Sequence, residues 1–138
     1  MDYIPKYFII HELMSREDLA KLSQRVNWEQ IAWQIFDPRI LQVADLIRKR
    51  YGKMVCNTWH WGGVCHYRGW RSSECTVGTE YSQHRFGRAI DLIPVEVVVE
   101  EIRKDIKAGE DFHWITCIEQ NVSWLHVDCR NYKGLLLV

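Results

Sequence analysis

The segment Trp59–Arg88 constrains the fold of this chain most strongly, because it separates two parts with different hydrophobic patterns. It is rich in glycine, aromatic and polar residues, and it is too long for an idle connection in a compact domain. The residues before it indicate mostly helix, whereas those after it indicate strands and one further helix. This order predicts an α+β domain in which N-terminal helices pack on a small, mostly antiparallel sheet.

Local signals predict where the helices begin and end. Ser15 stands three residues before an acidic side chain at the start of an apolar pattern, as at a helix N-terminus. A second helix begins at Asp37-Pro38, with the aspartate as cap and the proline in the first turn, and Gly52 ends it. A third helix is expected over Val95–Lys107, where apolar residues recur at helical spacing.

Strand patterns occupy the remaining parts of the chain. Met54–Thr58 and Arg88–Ile93 are short segments with strand character, and Pro94 follows the second of them. The C-terminal part predicts a hairpin that joins Trp114–Glu119 to Trp124–Arg130.

The register of this hairpin decides which side chains share a face. If the loop is residues 120–123, Glu119 lies opposite Trp124, and directly opposed residues point to the same side. One face then carries Ile115, Cys117, Glu119, Trp124, His126 and Asp128. The other face is apolar and is expected to pack on the helices, but a loop one residue longer or shorter would change the pairing of faces.

Composition excludes several classes of protein. The 138 residues suit one domain, residues 1–138, and 18 basic against 18 acidic residues leave no electrostatic reason to expect a nucleic-acid partner. No apolar run approaches the roughly 18 residues of a membrane helix, and the N-terminus lacks the pattern of a signal peptide. Five cysteines without paired spacing predict a reducing compartment, the cytoplasm in which the protein is made. The oligomeric state is left open.

Three side chains stand out as candidate metal ligands: His84, Asp91 and His126. Gly87 allows a sharp turn after the first histidine, and the small Ala89 leaves space beside the aspartate on the same strand face. Two imidazole nitrogens and one carboxylate oxygen form a reasonable zinc set with an open fourth position. The alternative is a surface histidine, a hydrogen-bonded aspartate and a second histidine with ordinary partners.

The segment Ser82–Asp91, Ser-Gln-His-Arg-Phe-Gly-Arg-Ala-Ile-Asp, matches S-x-H-x-x-G-x-A-x-D at every fixed position. This pattern resembles the zinc D-Ala-D-Ala peptidases of the M15 type, whose fold is shared with the hedgehog signalling domain. Arg68–Ser72 resembles the family's G-[aromatic]-R-S segment, and Trp124–Val127 resembles its closing W-x-H strand. The matches follow the family's order over about residues 54–130, and the helical N-terminal part is similar in character to phage-type members.

The resemblance implies specific roles for residues of this chain. His84, Asp91 and His126 would hold Zn²⁺, Arg71 would contact substrate or stabilise an oxyanion, and Ser82 would contact the peptide. The alternatives are a surface salt bridge for Arg71 and a turn or cap hydroxyl for Ser82. The implied activity is hydrolysis of cell-wall (peptidoglycan) peptides, by a carboxypeptidase or an endolysin-type endopeptidase. A phage-like lytic role would bring the protein to the wall after release from the cell.

The general base departs from the family's pattern. Many members carry a glutamate three residues before the last histidine ligand, where this chain has Ser123. Glu119 and Asp128 are the two candidate replacements, since the hairpin pattern places both on the face of His126. Glu119 is favoured for its longer side chain, and Asp128 has an alternative role as a partner of His126 or Arg130.

Two other functions are compatible with the sequence. The missing glutamate at position 123 would suit a non-catalytic zinc-containing binding module of the same fold, and the metal site could also serve only the stability of a larger particle. His60 and His66, with Cys56 and Cys65 nearby, could form a second metal site, although a turn with a tryptophan cluster explains them equally.

Overall fold

The computed structural model of the protein describes residues 3–109 and 111–138. Within these residues the α-helices are α1 (Arg16–Leu22), α2 (Trp28–Ile35), α3 (Pro38–Tyr51) and α4 (Val99–Ala108). None of these helices has the length and apolar character needed to cross a membrane. The first three lie in the N-terminal part of the chain, as the sequence predicts.

The predicted helix ends are confirmed at α1 and α3. The Ser15 hydroxyl accepts a hydrogen bond from the backbone N–H of Asp18 at 3.1 Å, and the Asp37 carboxylate accepts one from that of Arg39 at 2.9 Å. These side chains satisfy N–H groups that have no partner within the first turn of a helix. Gly52 ends α3 with a φ of 87°, which residues with a side chain rarely adopt.

Helix α4 begins later than the sequence predicts, at Val99 rather than at Val95. The N–H of Val95 donates to the Lys53 carbonyl at 3.1 Å, and the Glu96 carboxylate accepts from the Lys53 N–H at 3.0 Å. These contacts hold the residues that follow Pro94 against the chain just after α3, so they do not enter the helix. Apolar spacing alone could not reveal this, because the competing partner is distant in sequence.

One five-stranded sheet is formed by the described residues, from β1 (Met54–Val55), β2 (Ala89–Pro94), β3 (Cys117–Ile118), β4 (Leu125–Asp128) and β5 (Leu136–Leu137). The order is β1-β2-β4-β3-β5, and every pair is antiparallel except β3 with β5. The α+β class and the mostly antiparallel sheet are therefore confirmed. Strand β5, at one edge, has no counterpart among the predicted strands.

The register of the C-terminal hairpin differs from the predicted one by two residues. Ile118 pairs with Val127, and the N–H of Glu119 donates to the His126 carbonyl at 3.4 Å, so Glu119 lies opposite His126 rather than Trp124. A shift of two residues keeps the paired side chains of β3 and β4 on their predicted faces. Ile115, predicted on the polar face, instead lies before β3 and packs in the hydrophobic core. The hydrophobic pattern could not distinguish the two registers, because both bury the same apolar side chains.

The two faces of the sheet have different surroundings. The apolar face of β2, β3 and β4 is completely buried in one core with α3 and α4, through Ile90, Leu92, Ile118, Leu125 and Val127. The opposite face carries the polar residues of β2 and β4. The helices thus cover one side of the sheet and leave the other side to polar side chains.

Candidate metal centre

His84 lies on a short 3-10 turn, Gln83–Phe86, immediately before β2. The Ser82 hydroxyl accepts a hydrogen bond from the His84 N–H at 3.4 Å, and Gly87 ends the turn with a φ of 67°. A Cβ on Gly87 would lie 2.3 Å from the Ile35 carbonyl oxygen, so the close approach to α2 also requires glycine. This turn brings the buried His84 ring back towards the strand that follows it, as the position of Gly87 predicts.

The pairing of β2 with β4 supplies the other two candidate ligands. Asp91 lies directly opposite His126, and Ala89 lies opposite Asp128. Directly opposed residues of antiparallel strands project to the same side, so all four share the polar face. Ala89 is completely buried, and its methyl group is small enough to leave room beside the aspartate, as predicted.

His84, Asp91 and His126, here named the metal cluster, converge in the folded chain. The Nε2 atom of His84 lies 3.3 Å from Oδ2 of Asp91, and Nδ1 of His126 lies 2.8 Å from Oδ1 of the same carboxylate. One donor atom from each residue lies within 4.8 Å of the other two. The His84 and Asp91 side chains are 3% and 11% exposed, and that of His126 is 12% exposed, so the cluster is almost enclosed.

The residues of the metal cluster could hold a metal ion. Ligand atoms at 2.0–2.1 Å from a tetrahedral zinc lie about 3.3–3.4 Å apart. His84 Nε2 and Asp91 Oδ2 have this separation, at 3.3 Å, whereas His126 Nδ1 and Asp91 Oδ1 are at a hydrogen-bond distance of 2.8 Å. The remaining nitrogens also have partners, because His84 Nδ1 is 2.8 Å from the Gly69 carbonyl and His126 Nε2 is 2.8 Å from the Asp128 carboxylate. Zinc-binding histidines ordinarily make such a bond through the second ring nitrogen. The cluster can therefore hold a metal ion with two nitrogen donors and one oxygen donor.

The electrostatics of the cluster attract a cation. Burial alone would raise the pKa of Asp91, but hydrogen bonds to His126 and His84 outweigh it and hold that pKa far below its usual range. Burial alone would lower the pKa of His126, but its bonds to Asp128 and Asp91 raise the pKa to about 9. Two carboxylates thus draw positive charge to the His126 imidazole. A metal ion competes with a proton for the same nitrogen lone pair.

Arg71 lies beside the cluster. Its Nη2 atom is 3.5 Å from Oδ2 of Asp91, and its Nε donates to the Tyr67 carbonyl at 2.7 Å. A Cβ on Gly78 would lie 2.6 Å from Nη1 of the guanidinium, so the absence of a side chain there leaves the guanidinium its space. The structure therefore places a positive charge next to the candidate ligands, and the contact with substrate or oxyanion that the resemblance implies stays a prediction.

Ser82 has a structural contact of its own. Its hydroxyl caps the 3-10 turn that carries His84, and the residue is half-buried. The cap explains a serine two residues before a ligand, and the expected contact with a peptide stays a prediction.

Asp128 is fully engaged with its neighbours. Its carboxylate accepts hydrogen bonds from Arg130 Nε at 2.8 Å and Nη2 at 2.6 Å, and it lies 2.8 Å from His126 Nε2. Burial alone would raise the pKa of Asp128, but the bonds with Arg130 and His126 lower it to about 2. A fully buried carboxylate with these partners is suited to orienting the His126 ring.

The Glu119 carboxylate, unlike that of Asp128, has no side-chain partner among the described residues. Glu119 lies across from His126 in the strand ladder, and its side chain is half-buried. Among the described residues its carboxylate forms no hydrogen bond or ion pair, and the side chain of Arg103 binds only its backbone carbonyl. The corrected register places the Glu119 backbone directly opposite His126 rather than at the diagonal position that the sequence predicts.

The other histidines of the long central segment do not converge on a second site. The His60 ring packs on His11 at a centroid distance of 4.4 Å, whereas the His66 ring stacks on Trp59 at 6.2 Å. The described residues contain no group of three metal-ligating side chains other than the metal cluster. The alternative of a turn with an aromatic cluster is therefore the one that the structure supports.

Sequence reasoning missed two contacts that organise the centre. The Gly69 carbonyl, which orients His84, is a backbone group and leaves no signal in the sequence. Arg103 on α4, which is almost completely buried, binds the loop before β4, and nothing in its helical pattern distinguishes it from a surface arginine.

Comparisons of the chain with protein-family models, with curated proteins and with solved structures found no match. What can be said of its function therefore depends on the motif resemblance and on the geometry of the centre.

Proposed function

We propose that this chain is a zinc-dependent peptidase that hydrolyses peptidoglycan peptides. The observation that supports the proposal most is the convergence of His84, Asp91 and His126, whose donor atoms lie within 4.8 Å of one another. The motif resemblance supports the substrate class, a hedgehog/DD-peptidase type of fold and a phage-like role at the cell wall.

A zinc ion in the cluster would polarise the scissile carbonyl and lower the pKa of a water in its open position towards about 7. The chain itself must supply a group that takes the proton of the attacking water and passes it to the leaving amine. We assign this role to Glu119, because it lies opposite His126 and only its backbone carbonyl is bound by another described side chain. Asp128 then serves to orient His126.

Arg71 is suited to hold negative charge on the substrate. Its guanidinium is always protonated and lies 3.5 Å from the Asp91 carboxylate, next to the donor atoms of the metal cluster. It would stabilise the carbonyl oxygen as that atom becomes negative, or anchor a terminal carboxylate. Ser82, on the same turn as His84, would contact the peptide beside it.

The decisive experiment combines metal analysis with an assay of wall-peptide cleavage. Purified protein should contain one zinc ion per chain, and His84→Ala should lose it. Peptidoglycan fragments and peptides that end in D-Ala-D-Ala should be cleaved, and a chelator should stop the reaction until zinc is restored.

A matched pair of variants tests the base. Glu119→Gln should retain zinc and lose cleavage, whereas Glu101→Gln, an equivalent change on the exposed side of α4, should change neither. Zinc binding without cleavage of any wall peptide by the wild type would favour the non-catalytic binding module instead. A protein that binds no zinc would exclude both functions.

A further inference from the structure

Arg103 is a buried charged residue that has no role in the proposed reaction as described above. It lies on α4 with 3% of its surface exposed, and its guanidinium points to the loop between β3 and β4, residues 119–124. Burial of an arginine is unfavourable unless hydrogen bonds compensate for the lost hydration. The hydrogen-bond partners of the Arg103 side chain therefore indicate its structural role.

The partners are three carbonyl groups of the loop and one carboxylate. Nε donates to the Glu119 carbonyl at 3.1 Å, and Nη2 donates to the carbonyls of Val122 at 2.5 Å and Trp124 at 2.7 Å. Nη1 binds the Glu100 carboxylate at 2.8 Å on the outer side of the helix. The guanidinium thus joins the end of one strand to the beginning of the next.

The peptide group between Glu119 and Gln120 is held from both sides. Its carbonyl accepts from Arg103, and its N–H donates to the Val138 carbonyl at 2.7 Å. The preceding N–H, that of Glu119 itself, bonds to the carbonyl of His126. The backbone that carries Glu119 is therefore fixed relative to a residue of the metal cluster.

We infer that Arg103 is a positioning residue, which holds Glu119 opposite His126 by binding the carbonyls of the β3–β4 loop. The inference rests on the proposed function, in which Glu119 is the general base. A planar guanidinium donates along several fixed directions at once, whereas a lysine ammonium is a point charge at the end of a flexible chain. A lysine at this position would keep the positive charge but could not make all of the hydrogen bonds of Arg103.

The kinetic test compares Arg103→Lys and Arg103→Met with the zinc-loaded wild type. Because the base acts only in the transition state, its displacement should lower kcat by about ten- to a hundredfold and change KM little. Zinc content should stay at the wild-type level. Glu100→Gln removes the ion pair but keeps all three carbonyl contacts, so it should retain kcat and serves as the matched control.

Hydrogen exchange of the Gln120 amide gives a readout independent of activity. Exchange should become faster in Arg103→Lys and Arg103→Met, while amides of β2 keep their protection. Wild-type kcat in an Arg103 variant that retains zinc, or unchanged protection of Gln120, would overturn the inference. If the wild type cleaves no wall peptide, the proposed function fails, and the exchange experiment alone decides whether Arg103 holds Glu119. If Arg103→Met does not fold, both measurements on Arg103→Lys decide it.

Discussion

Replacement of Asp128 by asparagine separates the two candidate roles of this carboxylate. The change keeps the size of the side chain and removes its charge. In the structure Asp128 is completely buried and shares its oxygens between His126 and Arg130. If it orients the imidazole, its loss should weaken zinc binding, whereas the loss of a base should stop the chemistry with zinc still bound.

The size of the expected effect follows from the contacts. The loss of the partner of a metal-binding imidazole typically weakens metal binding about 10- to 100-fold, which is about 1.4–2.7 kcal/mol. Asparagine offers one oxygen acceptor where three side-chain donor atoms, His126 Nε2 and two of Arg130, now converge. The charge-assisted bonds to Arg130 are weakened too, so the free energy of unfolding should fall by about 1.5–3 kcal/mol.

The assay is a zinc titration in competition with a chromogenic chelator, together with kcat at saturating zinc. Asp111→Asn is the matched control, because Asp111 is an exposed aspartate whose ion pair with Arg50 is 3.6 Å long. It should leave zinc affinity and turnover unchanged. At saturating zinc, Asp128→Asn should recover most of its turnover, and Glu119→Gln should not.

Two results would refute this reasoning. The first is an Asp128→Asn variant that binds zinc with wild-type affinity and cleaves nothing, since that behaviour identifies Asp128 as the base. The second is a Glu119→Gln variant with wild-type turnover. The first result would exchange the roles assigned to the two carboxylates, and the second would remove Glu119 from the role of base.

Three further predictions concern the stability of the fold and of the centre. Free zinc at one hundred times its Kd should stabilise the protein by about 2.7 kcal/mol, and calorimetry should show a rise in Tm that a chelator reverses and that magnesium does not reproduce. Gly69→Ala should weaken zinc binding in the same chelator titration. The added Cβ would lie 2.1 Å from the Leu13 carbonyl oxygen, so the backbone would shift and displace the Gly69 carbonyl that holds His84. Unchanged zinc affinity would contradict this role of the Gly69 carbonyl. Burial, and then its hydrogen bond to Asp45, raise the pKa of Tyr3 to about 12, above its unfolded value of about 10. The stability from this bond should therefore be complete below pH 10 and disappear as the pH rises towards 12, so the Tm difference between wild type and Tyr3→Phe should shrink over that range rather than stay constant.

Much of the local structure of this protein could be predicted from its sequence. The caps at Ser15 and Asp37 act within three residues of their partners, and Gly87 acts on the turn that it ends. The alternation of apolar and polar residues assigned His126 and Asp128 to one face of the sheet, and an error of two residues in register left that assignment intact. Short-range hydrogen bonds and the two-residue period of a strand depend only on neighbouring residues, so a sequence can reveal them.

Contacts between distant segments were decided only by the tertiary structure. Three such contacts join parts of the chain that share no local sequence pattern. Glu119 lies across from His126, the Gly69 carbonyl bonds to His84, and Arg103 donates hydrogen bonds to the β3–β4 loop. Each depends on how the helices pack on the sheet, because that packing determines which backbone carbonyls meet which side chains. Residue types and spacing can therefore indicate the candidate ligands of this centre, while the groups that orient them become visible only in the folded chain.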